Sequence, residues 1–275
     1  MTLKKILELI PNQIILVPRI KQLLVSIFKI RGHGRAFLPE NKTIVVDLEN
    51  ITEIPLWMGI FPKHTLKFLQ ENLKPDSLFV DCGANIGLWS ILALGILEDG
   101  KGTVISYEPN PLLYKRLLDS RISNKIDNQT WQIHEIALSN ECSNLDFYLN
   151  PHAHQLGTLI KQDENSEKIR IPSKSLDSYS FERLDGMKID VEGNEINIIK
   201  GAIQSLITHK PWLVIELNNN YNNVAFFRDW DVFKLLKKHG YITNFDIDSI
   251  VDDKFCKDII FYHHSSAKKY FTELL

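Results

Sequence analysis

The sequence predicts an α/β protein built on a doubly wound, mostly parallel sheet, and three stretches carry that prediction. Residues 78–87, Leu-Phe-Val-Asp-Cys-Gly-Ala-Asn-Ile-Gly, run from an apolar strand through an acid into a turn with two glycines. Thr103 to Tyr107 is a second β-rich run and leads straight into Glu108-Pro109-Asn110-Pro111. Gly186 to Val191 is a third, with charged residues set into it. Strands alternating with helical patterns imply crossover connections, and such a sheet leaves a crevice at its carboxyl edge.

The elements before the first of these strands are short. Met1 to Ile30 alternates Leu/Ile clusters with Lys4, Lys5, Arg19, Lys21 and Lys29, and Pro11 and Pro18 break it. Charges interrupt it too often for a signal-peptide core. It reads as one or two amphipathic helices with a basic face. These either cap the domain or a second subunit, or lie on a membrane surface, so peripheral membrane contact and a homo-oligomer both stay open. Arg35–Leu38 and Thr43–Asp47 follow as short strands. Residues 1–56 are therefore expected to be an extension of a main domain over 57–275.

Leu78, Phe79 and Val80 suit a parallel strand buried on both faces. Asp81 ends it. Gly83 permits a tight turn and Gly87 a close backbone approach, because neither carries a Cβ; Ile86 to Leu97 then supplies a helix. A dinucleotide fingerprint needs a middle glycine so that a pyrophosphate can rest on the helix N-terminus. Asn85 stands inside this turn instead, and no phosphate-cradling G-x-x-x-x-G-K-[ST] is present. The spacing suits a ligand with a ribose and a small charged group, such as S-adenosylmethionine (SAM). Taken alone, the turn fits other nucleotide folds or a plain turn as well. Glu108, at the end of the next strand, can accept hydrogen bonds from both ribose hydroxyls; the alternative is a solvated strand-end acid.

Together these pieces carry a resemblance. Phe79–Gly87, Tyr107–Pro111, Ala137-Leu-Ser139, Ser175-Leu-Asp177, Lys188-Ile-Asp-Val-Glu-Gly193 with Glu195 and Gly201-Ala202, and Pro211-Trp-Leu-Val-Ile-Glu216 follow one another in that order. In this the chain resembles FkbM-type SAM-dependent methyltransferases. The resemblance implies a class I methyltransferase (Rossmann-like) fold with an antiparallel last strand, SAM as methyl donor, and an oxygen acceptor on a sugar, lipid or natural product. It implies a SAM site drawn from Asp81, Gly83, Ala84, Asn85, Gly87, Glu108, Pro109, Asn110, Ala137 and Asp190.

Further along, Leu112 to Leu118 reads as a helix and Trp131 to Leu138 as the third strand. Its end is where this fold contacts adenine. Ile136 stands where many class I methyltransferases place an acid, so backbone groups near Ala137 and apolar packing are expected to hold the base. Leu145–Leu149 and Lys168–Pro172 look like an inserted hairpin on the acceptor side, within 143–177. The polar loop between them contains His152, His154, Gln155, Gly157 and Thr158.

Lys188, Asp190 and Glu192 occur at alternate positions, so an extended chain puts them on one side. A central strand excludes such residues unless they pair or meet a ligand. They form either a buried Lys–Asp pair or part of the reaction centre. A sugar or alcohol hydroxyl needs a base to take its proton during attack on a sulfonium methyl. Asp190, Glu192, Glu216 and His154 are the candidates, in that order. Acids at the strand edge could instead hold Mg2+. Pro211 to Leu217 forms the fifth strand and Asp231 to His239 a helix. Tyr241–Ile247 and Asp258–Tyr262 are the closing pair, after which His263-His264 reads as a solvated or core-satisfied pair, with a metal role as the alternative.

Composition excludes other classes. With 275 residues, 44% of them hydrophobic, the chain can bury one sizeable core. A net charge of −2 offers no global basic field for nucleic acid. Cys82, Cys142 and Cys256 are widely spaced, as expected in a reducing cytoplasm. No apolar run nears the roughly 20 residues that span a bilayer. Two classes of function remain. One is an O-methyltransferase acting on a saccharide or glycolipid, with a secondary metabolite as the alternative acceptor. The other is a non-catalytic SAM-binding or scaffold protein.

Overall fold

A computed structural model describes residues 31–97, 101–150, 153–159, 164 and 166–266. The amphipathic helices expected over Met1 to Ile30 lie outside these residues. The described chain opens with β1 (His33–Phe37) and β2 (Thr43–Asp47), paired antiparallel, then α1 (Ile54–Trp57) and α2 (Lys63–Asn72). β3 (Leu78–Cys82), α3 (Leu88–Leu94), β4 (Thr103–Tyr107), α4 (Pro111–Ser123) and β5 (Trp131–His134) alternate after them. β6 (Ala137–Leu138), β7 (Ser143–Asn150), β8 (Ala153–Thr158) and β9 (Glu167–Lys174) follow. The alternation resumes with β10 (Gly186–Ile189), α5 (Glu195–Lys200), α6 (Ile203–His209), β11 (Trp212–Asn218) and α7 (Asn219–Asn222). α8 (Asp231–Lys238), β12 (Tyr241–Ile242) and β13 (Cys256–His263) complete it.

Seven strands form the main sheet in the order β12-β13-β11-β10-β3-β4-β5. The last five of these are parallel, and β13 runs antiparallel to β11. The expected α/β class is therefore present, with its antiparallel closing strand. From β3 the chain moves outward to β4 and β5, then returns to β10 on the other side. That reversal opens the crevice between the carboxyl ends of β3 and β10. One apolar layer packs Phe79, Ile91, Leu117 and Trp212 with Ala36, Ile44 and Val46 of the β1–β2 hairpin. The opposite layer packs Val80, Ile189, Leu206 and Leu236. Phe79, Val80, Asp81 and Cys82 are all fully buried, as a strand covered on both faces requires.

The hairpin is also tied by charge. The Arg116 guanidinium on α4 donates to the Glu53 carboxylate and to the backbone oxygen of Val45, and both side chains are buried. A buried pair of this kind is satisfied only while the two elements stay together.

The structure differs from expectation at several places. The third strand stops at His134 rather than Leu138: the chain bends at Glu135 and Ile136, and Ala137–Leu138 joins β9 in a separate four-stranded sheet, order β6-β9-β7-β8. The expected hairpin is present as β7 paired with β9. However, part of the polar loop inside it is a strand, β8, paired with β7. The helix after the glycine turn is shorter, because Gly87 adopts a left-handed conformation as its N-cap and Gly95 follows as its C-cap. The helix after Glu108 starts earlier, with Pro111 in its first turn and the Asn110 side chain accepting the Leu112 N–H at 3.0 Å.

Candidate active site

Three tight turns build the site. Between β3 and α3 the backbone turns left-handed at Gly83 (φ +72°), Asn85 (φ +53°) and Gly87 (φ +89°). Asn tolerates this conformation better than most residues with a Cβ. Gly83 turns the chain as expected, but the close backbone approach expected at Gly87 is found at Gly83 as well. At Gly83 a Cβ would lie 1.9 Å from the backbone oxygen of Asp190, so here two main chains pass at closest approach. At Gly87 it would meet the Leu117 side chain at 2.5 Å, a packing contact between helices. The Gly83 and Ala84 N–H groups donate to the Tyr107 oxygen at 3.0 and 3.1 Å, and the Asp190 N–H donates to Cys82 O at 3.1 Å. The ends of β3, β4 and β10 are thus laced into one frame.

Glu108 fastens the second turn. Its carboxylate accepts the Asn85 N–H at 2.8 Å and the Asn110 N–H at 2.9 Å, one on each oxygen. Burial pushes its carboxyl up to about 7 despite those two donors. Asp81 takes a different place: it is fully buried and accepts the Ser90 N–H at 3.1 Å and the Ser90 hydroxyl at 2.5 Å on Oδ2. Its Oδ1 has no hydrogen-bond partner, and burial raises its pKa.

The third turn follows β10. The strand ends at Ile189, and left-handed conformations at Glu192 (φ +55°) and Gly193 (φ +104°) fold the chain back. Strict alternation therefore does not reach Glu192, yet the turn returns its carboxylate to the same place. Oxygen atoms of Asp190, Glu192 and Glu216 lie within 4.8 Å of one another. Lys188 is buried behind them and donates to Asp190 Oδ2 at 2.9 Å. Burial opposes its charge, but Asp190 and Asp81 outweigh burial and raise its pKa. Glu192 accepts from Asn218 Nδ2 at 3.2 Å, and Glu216 accepts the Cys256 thiol at 3.3 Å. Burial, reinforced by the charge of Asp190, raises Glu192 and brings Glu216 to about 8.

These turns line one cavity, about 1170 Å³ including its open mouth. Of the expected residues, Gly83, Asn85, Glu108, Pro109, Ala137, Asp190, Glu192 and Glu216 line it. Asp81, Ala84, Gly87, Asn110 and Lys188 stand behind that lining. His154 falls in β8, and its side chain is outside the described groups. Tyr107, Leu113, Phe147, Tyr148, Thr158, Asn194 and Tyr221 also line the cavity and were not expected there. Tyr107 had a signal, since it directly precedes Glu108. Thr158 comes from β8 and donates to the Glu192 backbone oxygen at 2.9 Å, which fixes the second sheet as a wall.

The donor set is selective. Among the described lining residues are four carboxylates, Glu108, Asp190, Glu192 and Glu216, and no Lys, Arg or His. A pyrophosphate would find no side-chain counter-charge there; of the charged groups of SAM, the sulfonium and the ammonium would, and only its single carboxylate would not. The lining therefore fits SAM better than a dinucleotide.

The sheet order, with a crevice at its switch point and acids at the ends of the second, fourth and fifth parallel strands, is the Rossmann-like architecture of class I methyltransferases. The methyltransferase FkbM domain family matches residues 81–243, and the chain belongs to that family. Among curated relatives, it is 27% identical to the hexuronic acid methyltransferase AglP of Haloferax volcanii, over 52% of this chain and 57% of the relative. It is 24% identical to the methyltransferase sdnD of Sordaria araneosa, over 54% of this chain and 68% of that one. The chain thus spans little more than half the length of the Haloferax relative. A solved FkbM methyltransferase from Methylobacillus flagellatus KT aligns over 90% of this chain and 59% of its own, at 16% identity and TM-score 0.46. No helix among the described residues is long and apolar enough to cross a membrane.

The raised acids have a measurable consequence. Burial lifts Glu108 and Glu195 to about 7 and Glu216 to about 8, from an ordinary value of 4.5. Between those limits the folded chain holds protons that the unfolded chain has released. The stability these groups contribute is full below pH 4.5 and is lost as the pH rises through 7 and 8. The melting temperature is expected to fall steadily from pH 5.5 to 8.5; a rise across that range would refute the burial of these carboxylates.

Proposed function

We propose that this protein is a SAM-dependent O-methyltransferase that methylates a hydroxyl of a saccharide or glycolipid. The observation that carries this reading is the convergence of Asp190, Glu192 and Glu216 beside the crevice that Glu108 borders. When bound, SAM supplies a methyl group on a positively charged sulfonium. The turn at Gly83 to Gly87 and the Glu108 carboxylate would hold its nucleoside, with Leu113, Ile136 and Ala137 against the adenine. Asp190 would take the proton of an acceptor hydroxyl placed beside it, leaving that oxygen free to accept the methyl group that SAM would supply. Lys188 offsets the charge of Asp190 and fixes its orientation through Oδ2. Glu192 and Glu216 remain to accept hydrogen bonds from neighbouring hydroxyls of a polyol. The name of the Haloferax relative, which refers to a hexuronic acid, supports a sugar-derived acceptor.

The test is transfer of an isotope-labelled methyl group from SAM to a panel of glycosides and glycolipids, read as labelled methyl ether and S-adenosylhomocysteine. Binding of SAM without transfer to any acceptor would favour the scaffold alternative. The ammonium of Lys188 offsets the charge of Asp190, and the proposed proton transfer to Asp190 involves no divalent ion. Turnover is expected to survive treatment with a strong chelator. If chelation abolished it and Mg2+ restored it, the three carboxylates would be metal ligands instead.

Glu108→Ala tests the cofactor end. It removes a carboxylate whose hydrogen bonds are worth about 1.5–3 kcal/mol each, so SAM affinity is expected to fall at least about tenfold. Calorimetry on Glu108→Ala and Glu108→Gln would settle it. Wild-type affinity in both would leave Glu108 as no more than a fastener of the two turns.

A further inference from the structure

The four acids do not share one place in the cavity. Glu108 follows β4, Asp190 and Glu192 follow β10, and Glu216 is on β11, in a sheet ordered β11-β10-β3-β4. Neighbouring strands lie about 4.8 Å apart, so Glu216 sits roughly 14 Å across the sheet from Glu108. A nucleoside held at Glu108 therefore leaves Glu192 and Glu216 to the second ligand. Besides Asp190 and the Lys188 ammonium paired with it, their neighbours are Asn218, Tyr221, Cys256 and the Thr158 hydroxyl. Lys188 points its ammonium at Asp190 from behind the lining and is not available to an incoming anion.

We propose that the acceptor end of this cavity selects an uncharged polyhydroxylated sugar and rejects the corresponding uronic acid. The inference rests on the saccharide reading and narrows it. A uronate carboxylate would be set against Glu192 and Glu216 in a half-buried wall whose described lining residues include no cation, the Lys188 ammonium behind it being taken by Asp190. Like charges brought together at an interface discriminate against the wrong partner. A neutral sugar meets the same carboxylates through its hydroxyls, each of which donates a charge-assisted hydrogen bond. This would separate the chain's acceptor from the hexuronic acid in the name of its Haloferax relative.

The experiment compares matched pairs at pH 8.5: methyl glucoside against methyl glucuronide, and methyl galactoside against methyl galacturonide. Labelled SAM provides the readout, on the full chain and on Glu192→Gln. The neutral member of each pair is expected to be preferred at least tenfold in kcat/KM, and Glu192→Gln to shrink that ratio whatever it does to the absolute rate. Equal use of both members, or preference for the uronide, would overturn the inference and leave sugar methylation standing. A neutral preference unmoved by Glu192→Gln would overturn the assignment of selectivity to this charge. SAM binding with transfer to no sugar of either kind would remove the saccharide reading, and the inference with it.

Discussion

Asp190→Asn is expected to lower turnover by roughly 10²–10⁴-fold while SAM affinity stays within a few-fold of the parent. The amide keeps an acceptor for the Lys188 ammonium, now 2.9 Å away, and loses only the charge and the basicity. Lys188 is not stranded by the change, because Asp81 also stabilises its charge. The stability loss should therefore stay below the roughly 3–5 kcal/mol of an uncompensated buried ion. Melting temperature, SAM affinity and turnover on this one variant distinguish the cases. A destabilised protein would make Asp190 a structural counter-ion, and a stable variant with parental turnover would end its candidacy as base.

Gly83→Ala is expected to cost roughly 2–5 kcal/mol of stability, from left-handed strain of about 1–2 kcal/mol and overpacking of about 1–3 kcal/mol. SAM binding should weaken at the same time, because the atom that the new Cβ meets is the backbone oxygen of Asp190 at 1.9 Å. No rotamer can relieve that contact, so the turns after β3 and β10 must part. Gly32→Ala is the control: its φ of +74° matches the +72° of Gly83, but a Cβ there has nothing within 4 Å. The difference between the two variants isolates the overlap from the dihedral strain. Equal effects would mean that the close approach of the two turns is not a constraint.

Much of this architecture was legible in the sequence, because the relevant signals are local. Phe79 and Val80 are apolar without alternation, which marks a strand covered on both faces. Lys188 is charged inside a central strand, and Asp190 follows directly at its end. What could not be read depends on partners distant in sequence. β8, Ala-His-Gln-Leu-Gly-Thr, has no β-branched residue before its last, and it is a strand only because β7 lies beside it. The bend at Glu135 and Ile136 follows from the pull of β9, some 37 residues on, where Ala137 pairs with Ser173. Asp81 has the same place in the pattern as a ligand-facing acid, and only the Ser90 hydroxyl reveals its inward orientation.

The Arg116–Glu53 tie gives the homologous segment and the folding unit different borders. The family match begins at residue 81 and ends at 243. A fragment cut to those limits would keep the guanidinium of Arg116 and lose its carboxylate. It would also uncover the apolar side chains that Ala36, Ile44 and Val46 shield, and strip β13 from the edge of β11. Common ancestry marks out the part that carries the chemistry, while cooperativity belongs to a longer stretch that includes the hairpin. Recombination or domain grafting that respects only the first boundary would inherit a catalytic floor without the walls that keep it folded.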